Sequence, residues 1–97
     1  MARSEDISIP AKVWTEITNG DVATITFQNK SSSQTIQVTA TAGLIEPTGV
    51  DGTAYAPGAG EYDLNLATAF PGVSGANRVW VYTTRASGFV TVFVSHA

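Results

Sequence analysis

Asn77-Arg-Val-Trp-Val-Tyr-Thr-Thr-Arg85, then Ala86-Ser87-Gly88, then Phe89-Val-Thr-Val-Phe-Val-Ser95: this stretch decides the fold class. Successive side chains of a strand point to opposite faces, so the period to look for is two. Val79, Val81 and Thr83 share one face, against Trp80, Tyr82 and Thr84. Val90, Val92 and Val94 share a face, against Phe89, Thr91 and Phe93. β-branched and aromatic residues dominate both runs, as strands prefer. Three small residues including a glycine between two such runs read as a hairpin turn. Apolar residues stand on both faces of both strands. That predicts central strands, or strands whose second face meets a partner.

The same period recurs toward the N-terminus. Lys12 to Thr18 alternates Val13, Thr15 and Ile17 with Trp14 and Glu16, and Val22 to Gln28 alternates Ala23, Ile25 and Phe27 with Val22, Thr24 and Thr26. Asn19-Gly20-Asp21 between them is a strong local hairpin signal, because Asn and Gly tolerate positive φ. After the polar loop 29–33, Gln34 to Thr41 places Ile36, Val38 and Ala40 on one side. The segment 42–60, punctuated by Gly and Pro, predicts a short strand around Thr53–Ala56 or an interaction loop. Glu61 to Leu66 predicts a strand with Tyr62, Leu64 and Leu66 aligned. No segment has a helical period. Residues 1–10 read as an extended arm in which alternating Ile7 and Ile9 can form a short edge strand and Pro10 marks an edge or boundary. As an arm, it is dispensable for folding. The expected architecture is all-β, an antiparallel sandwich or barrel of about six to eight strands over residues 11–97, with the arm at 1–10.

At 97 residues the chain fits one domain. A domain of this length buries only roughly 60–65% of its unfolded surface, so its core alone gives a modest margin. There is no cysteine to add a disulfide or thiolate metal site. Charged residues make up only 13% of the chain, well below the average of about 25%. Such a surface is built of hydroxyls, amides, Gly and Ala, which is common in extracellular β proteins and also suits an assembled protein. The net charge of −3 and the scattered Arg3, Lys12, Lys30, Arg78 and Arg85 argue against a nucleic-acid partner. No apolar run reaches the length of a membrane span. The N-terminal Met1-Ala-Arg-Ser-Glu-Asp6 has no apolar core of a signal peptide, which predicts a cytosolic product.

The sequence offers little for catalysis. The single histidine, His96, is next to the last residue and reads as a solvated terminal side chain. Without a positioned base, no serine has a route to activation. Glu61 and Asp63 lie two apart on one predicted strand, and Glu46 and Asp51 in the Gly-rich loop, without a calcium-loop pattern. Gly58-Ala59-Gly60 lacks the lysine and helix of a phosphate loop. No cofactor or metal is expected, and no enzyme. The aromatic residues remain: Trp14, Trp80, Tyr82, Phe89 and Phe93 can fill a core, a subunit interface or a ligand platform.

The order of motifs resembles the small β-sandwich virion structural proteins of tailed bacteriophages. The resembling pieces are Trp14-Thr15-Glu16-Ile17-Thr18-Asn19-Gly20, Thr24-Ile25-Thr26-Phe27-Gln28-Asn29 and Ile36-Gln37-Val38-Thr39. Pro57-Gly58 through Leu64-Asn65-Leu66, and Val79-Trp80-Val81 with Ser87-Gly88 and Val90-Thr91-Val92, complete them. Together they cover most of residues 12–95. The resemblance implies a non-enzymatic capsid or tail component: a head decoration (cement) protein, or the base of a head fibre or spike. It implies a homotrimer on the virion, made in the host cytoplasm, with the major capsid protein or another virion protein as partner. In that picture Ile7, Ile9 and Pro10 of the arm contact the capsid or a neighbouring subunit. The alternative is a receptor- or glycan-binding domain of a fibre, spike or tail component, using the aromatic set.

Overall fold

The computed structural model describes residues 2–97. It contains eight strands: β1 (Arg3–Pro10), β2 (Thr15–Glu16), β3 (Thr24–Asn29), β4 (Ile36–Thr41), β5 (Thr53–Tyr55), β6 (Gly60–Asn65), β7 (Arg78–Thr83) and β8 (Phe89–His96). One helical turn, α1 (Leu66–Ala69), follows β6 and is capped by the Asn65 side chain, which accepts from the Thr68 amide. The strands form two four-stranded sheets packed face to face, sheet 1 in the order β1-β8-β3-β6 and sheet 2 in the order β2-β7-β4-β5. Every neighbouring pair is antiparallel. The expected all-β sandwich is therefore present.

The pairing has a simple rule. β1 pairs with β8, β2 with β7, β3 with β6 and β4 with β5. The chain is one long antiparallel ribbon, turned back on itself between β4 and β5. It is rolled so that β8 also meets β3 and β7 also meets β4. Eight strands rolled in this way are a jelly roll. At each corner both arms of the ribbon bend together from one sheet to the other and stay hydrogen-bonded. The Ala11 and Lys12 amides donate to Gly88 and Thr83, the Val22 amide to Asn77, and the Asn29 and Gly58 amides exchange bonds with Ala59 and Asn29.

This topology corrects two expected hairpins. Residues 86–88 do not join paired strands: β7 lies in sheet 2 and β8 in sheet 1. Residues 17–23 likewise cross from β2 to β3 between the sheets. The reason lies in the valine stripes. A hairpin would place Val79, Val81, Val90, Val92 and Val94 on one face of one sheet. A corner sets the two stripes opposite each other, and all five side chains are buried. Fully burying a side chain of this size is worth roughly 1.5–3 kcal/mol, so opposed stripes decide the connection.

The segment expected as an arm is a strand of the domain. Arg3 to Pro10 pairs along its whole length with His96 to Phe89. Ile9 is fully buried and Ile7 packs against the core, because the period of two turns both inward over β8. Only Pro10 of the three proposed contact residues is exposed. Met1 lies outside the described residues.

Two further expectations change. Asp63 has φ 52°, and the register of β6 on β3 shifts between Ile25 and Phe27, so β6 bulges there. The bulge breaks the predicted Tyr62-Leu64-Leu66 face: Tyr62 is 89% exposed, while Leu66 is buried within α1. The terminal His96 is buried on the inward side of β8, and its Nε2 accepts from the Asn19 amide at 3.4 Å.

Candidate functional site

Outside its core the domain presents two sheet faces and the ribbon's tip. On sheet 2, β7 turns Val79 and Val81 inward and Trp80 and Tyr82 outward. Trp80 nonetheless has only 8% of its surface exposed, and Trp14, just before β2, has 7%. The cover is the Gly/Pro-rich segment between β4 and β5. It leaves sheet 2 beside β7, where the Gly43 amide donates to Asn77 Oδ1, and re-enters on the far side of β4 at β5. Between those points it crosses the face, for Gly49 accepts from Trp14 Nε1 at 2.7 Å. Trp80 Nε1 donates to Thr41 Oγ1 at 2.8 Å, and the Trp14 and Tyr82 rings lie 5.2 Å apart. Both indole N–H groups are thus satisfied, as buried tryptophans require. Of the five aromatic residues expected in a core or interface, Trp14 and Trp80 form a small second core beneath the tip. Tyr82 is half-buried beside them, Phe93 is half-buried on the other sheet, and Phe89 is 63% exposed.

The same tip carries apolar side chains into solvent. Leu44 and Ile45 are each 68% exposed and Val50 is 54% exposed. Val13, beside Trp14, is 51% exposed. Val13 and Val50 flank the Trp14–Gly49 hydrogen bond at the Tyr82 end of β7, whereas Leu44 and Ile45 follow Gly43 at its opposite, Asn77 end.

A charged cluster holds the β2–β3 corner. Arg78 reaches Glu16 at 3.0 Å and Asp21 at 2.8 Å, and Thr18 Oγ1 donates to the same Glu16 oxygen at 2.7 Å. The hydrogen bonds from Arg78 to Glu16 and then Asp21 hold its guanidinium more firmly protonated than usual. At the β3–β4 corner, the fully buried Asn29 does similar work without charge. Its Nδ2 donates to the Gln34 and Tyr55 carbonyls at 2.7 and 3.1 Å, and its Oδ1 accepts from Ser31. The carboxylates Glu61 and Asp63 do not act as a pair, since the bulge separates their faces. Glu61 accepts from the Tyr55 hydroxyl at 3.2 Å, and burial followed by the Glu61 charge pushes that phenol up to about 12. Among the described residues no three His, Asp or Glu side chains converge as metal ligands. Nor, among them, is any helix long and apolar enough to cross a membrane.

The outer face of sheet 1 holds an open groove of about 540 Å³, lined by Thr26, Phe27, Gln28, Lys30, Gly58, Gly60, Tyr62 and Phe93. Three causes make it. The Asp63 bulge throws Tyr62 outward at one side. Phe93, an outward residue of β8, stands at the other, facing Gln28 across the ladder. Between them Gly60 brings β6 so close to β3 that a Cβ there would lie 2.0 Å from the Phe27 carbonyl oxygen. Of the lining residues, Phe93 is one of the aromatic residues that the sequence marks. The sequence does not mark Tyr62, Gln28 or Lys30: Tyr62 is expected on the face shared with Leu64 and Leu66, and Lys30 falls in a polar loop. The one available signal was Asp63, a residue type that tolerates the left-handed conformation a bulge needs. Comparison with known proteins finds no match: no family model, no curated sequence and no solved structure is significantly similar to this chain.

Proposed function

We propose that this chain is a structural protein of a tailed-bacteriophage virion, a head decoration protein that binds the major capsid protein or another virion protein as a homotrimer. It works by binding and supports no reaction. Its place is the capsid surface, reached after synthesis in the host cytoplasm. The observation that carries the reading is the segment between β4 and β5, which holds Leu44, Ile45 and Val50 exposed and is fixed to sheet 2 through Gly43 and Gly49. Exposed apolar groups on a fixed segment mark a surface made to be covered. The jelly-roll topology adds fold-level analogy, since viral capsid domains use it repeatedly. The motif order and the low charge agree with both.

The test is co-sedimentation with undecorated heads of the cognate major capsid protein, with light scattering for the state in solution. Saturable binding, lost in Leu44→Glu and Ile45→Glu variants that melt like the parent, is the expected result. Failure of the parent protein to sediment with heads, together with its absence from purified virions by mass spectrometry, would overturn the proposal.

A further inference from the structure

We propose that the groove between Tyr62 and Phe93 on the outer face of sheet 1 is a binding site for a neutral oligosaccharide. Its volume, about 540 Å³, falls within the range of roughly 300–1,000 Å³ usual for small-molecule sites. Its aromatic side is available: Tyr62 is 89% exposed, although it stands in the middle of a strand. An aromatic ring exposed in that position can offer its face to the C–H side of a pyranose.

The polar groups are fixed and only half used. Gln28 Nε2 donates to the Gly58 carbonyl at 3.0 Å, which orients the amide and leaves its oxygen and second N–H free. Thr26 Oγ1 accepts from the Asp63 amide at 3.0 Å, so its hydroxyl proton remains to be given. Each therefore presents at least one further hydrogen bond at little further ordering cost, which is the condition for affinity from polar contacts. Donors and acceptors alternating beside aromatic rings match the hydroxyls and C–H faces of a sugar.

Charge selects the class. Lys30 is the one cation among the lining residues, and Asp6 of β1 holds its Nζ at 2.9 Å. A neutralised cation gives an anionic ligand little reason to bind. The amide and hydroxyl lining would leave a purely apolar ligand with unmet polar groups. The floor is bare backbone at Gly58 and Gly60, where φ of 83° at the first and the Phe27 carbonyl at the second both disfavour a side chain. A flat ring can therefore approach the sheet closely.

This inference does not depend on the virion role, and its test does not involve capsids. The protein is screened on an array of neutral, sialylated and sulfated glycans, and hits are measured by calorimetry with the free oligosaccharide. Neutral glycans are expected to bind. Tyr62→Ala should weaken them about threefold to tenfold, the range of one aromatic contact. Gln28→Ala should weaken them too, while Phe89→Ala, exposed on the same sheet outside the groove, should not. Melting curves check that all three remain folded. No neutral hit at millimolar glycan, selection of charged glycans only, or binding indifferent to Tyr62→Ala would each overturn the proposal.

Discussion

Trp14 Nε1 donates to the Gly49 carbonyl at 2.7 Å, tying the edge of sheet 2 to the tip of a ribbon that enters from the opposite edge. That one bond converts a long irregular segment into a lid. Trp80, which the strand period turns away from the valine core, lies beneath it and keeps 8% of its surface exposed. Trp80→Ala should therefore cost about 3–5 kcal/mol, as for a buried aromatic residue, and not the near-zero loss of an exposed one. Trp14→Phe, which keeps a ring beside Tyr82 but loses the donor, should cost about 1 kcal/mol. Urea unfolding measures both, and a Trp80→Ala loss within error of zero would mean that the lid does not close.

Asn29 gives a second prediction. Its amide bonds two carbonyls, from Gln34 and Tyr55, and takes a third bond from Ser31, all at a fully buried position. Asn29→Ala strands both carbonyls and should destabilise by about 2–4 kcal/mol. Asn29→Asp has nearly the same shape, yet as a carboxylate it cannot donate to either carbonyl. It should be destabilised comparably at neutral pH, and recover in part in acid, where the protonated form regains one donor. Equal stability of Asn29→Asp and the parent at neutral pH would remove this account of the corner.

These features mark where the sequence was legible. Six strands lie near their expected positions because alternation is local: Val90, Val92 and Val94 declare a face whatever they pair with. The partner of a strand is not local. Asn19-Gly20 and Ala86-Ser87-Gly88 satisfy a hairpin and a corner equally well. Only the need to oppose two valine stripes, with the ribbon rolled whole, separates the two. Ile7 and Ile9 carried the same inward signal as the valines, in a stretch whose charges at Arg3, Glu5 and Asp6 suggested an arm. The groove was hidden by a single bulged residue, Asp63, which moves Tyr62 from the predicted inner face to the outside.

A third prediction concerns that first strand. Deleting residues 2–10 removes eight paired positions, strips the buried Ile9 from the core and uncovers β8. Small domains have only about 5–15 kcal/mol of stability in total. The shortened chain should lose dispersed amide signals and cooperative melting. Ile9→Ala alone should cost about 2–5 kcal/mol. A truncated chain that melts like the parent would restore the free arm and make Ile7 and Ile9 available to a capsid.

The last prediction follows from Tyr55 and Glu61. Burial, and the carboxylate 3.2 Å from the hydroxyl, push the Tyr55 phenol from 10.0 to about 12. In the unfolded chain the phenol releases its proton near the ordinary value; in the fold it holds the proton to higher pH. The neutral form is the one the fold favours, so the group's contribution is complete below pH 10 and is lost as pH rises toward about 12. Tyr55→Phe keeps the edge-on contact with Phe27, whose ring centroid lies 5.0 Å away, and removes the titration. Lysine and arginine titrations are common to both proteins and cancel in the comparison. Between pH 10 and 12 the melting temperature of the parent should therefore fall more steeply than that of Tyr55→Phe, and the two curves should run parallel below pH 9. Parallel curves across the whole alkaline range would mean that burial and Glu61 do not hold the phenol neutral.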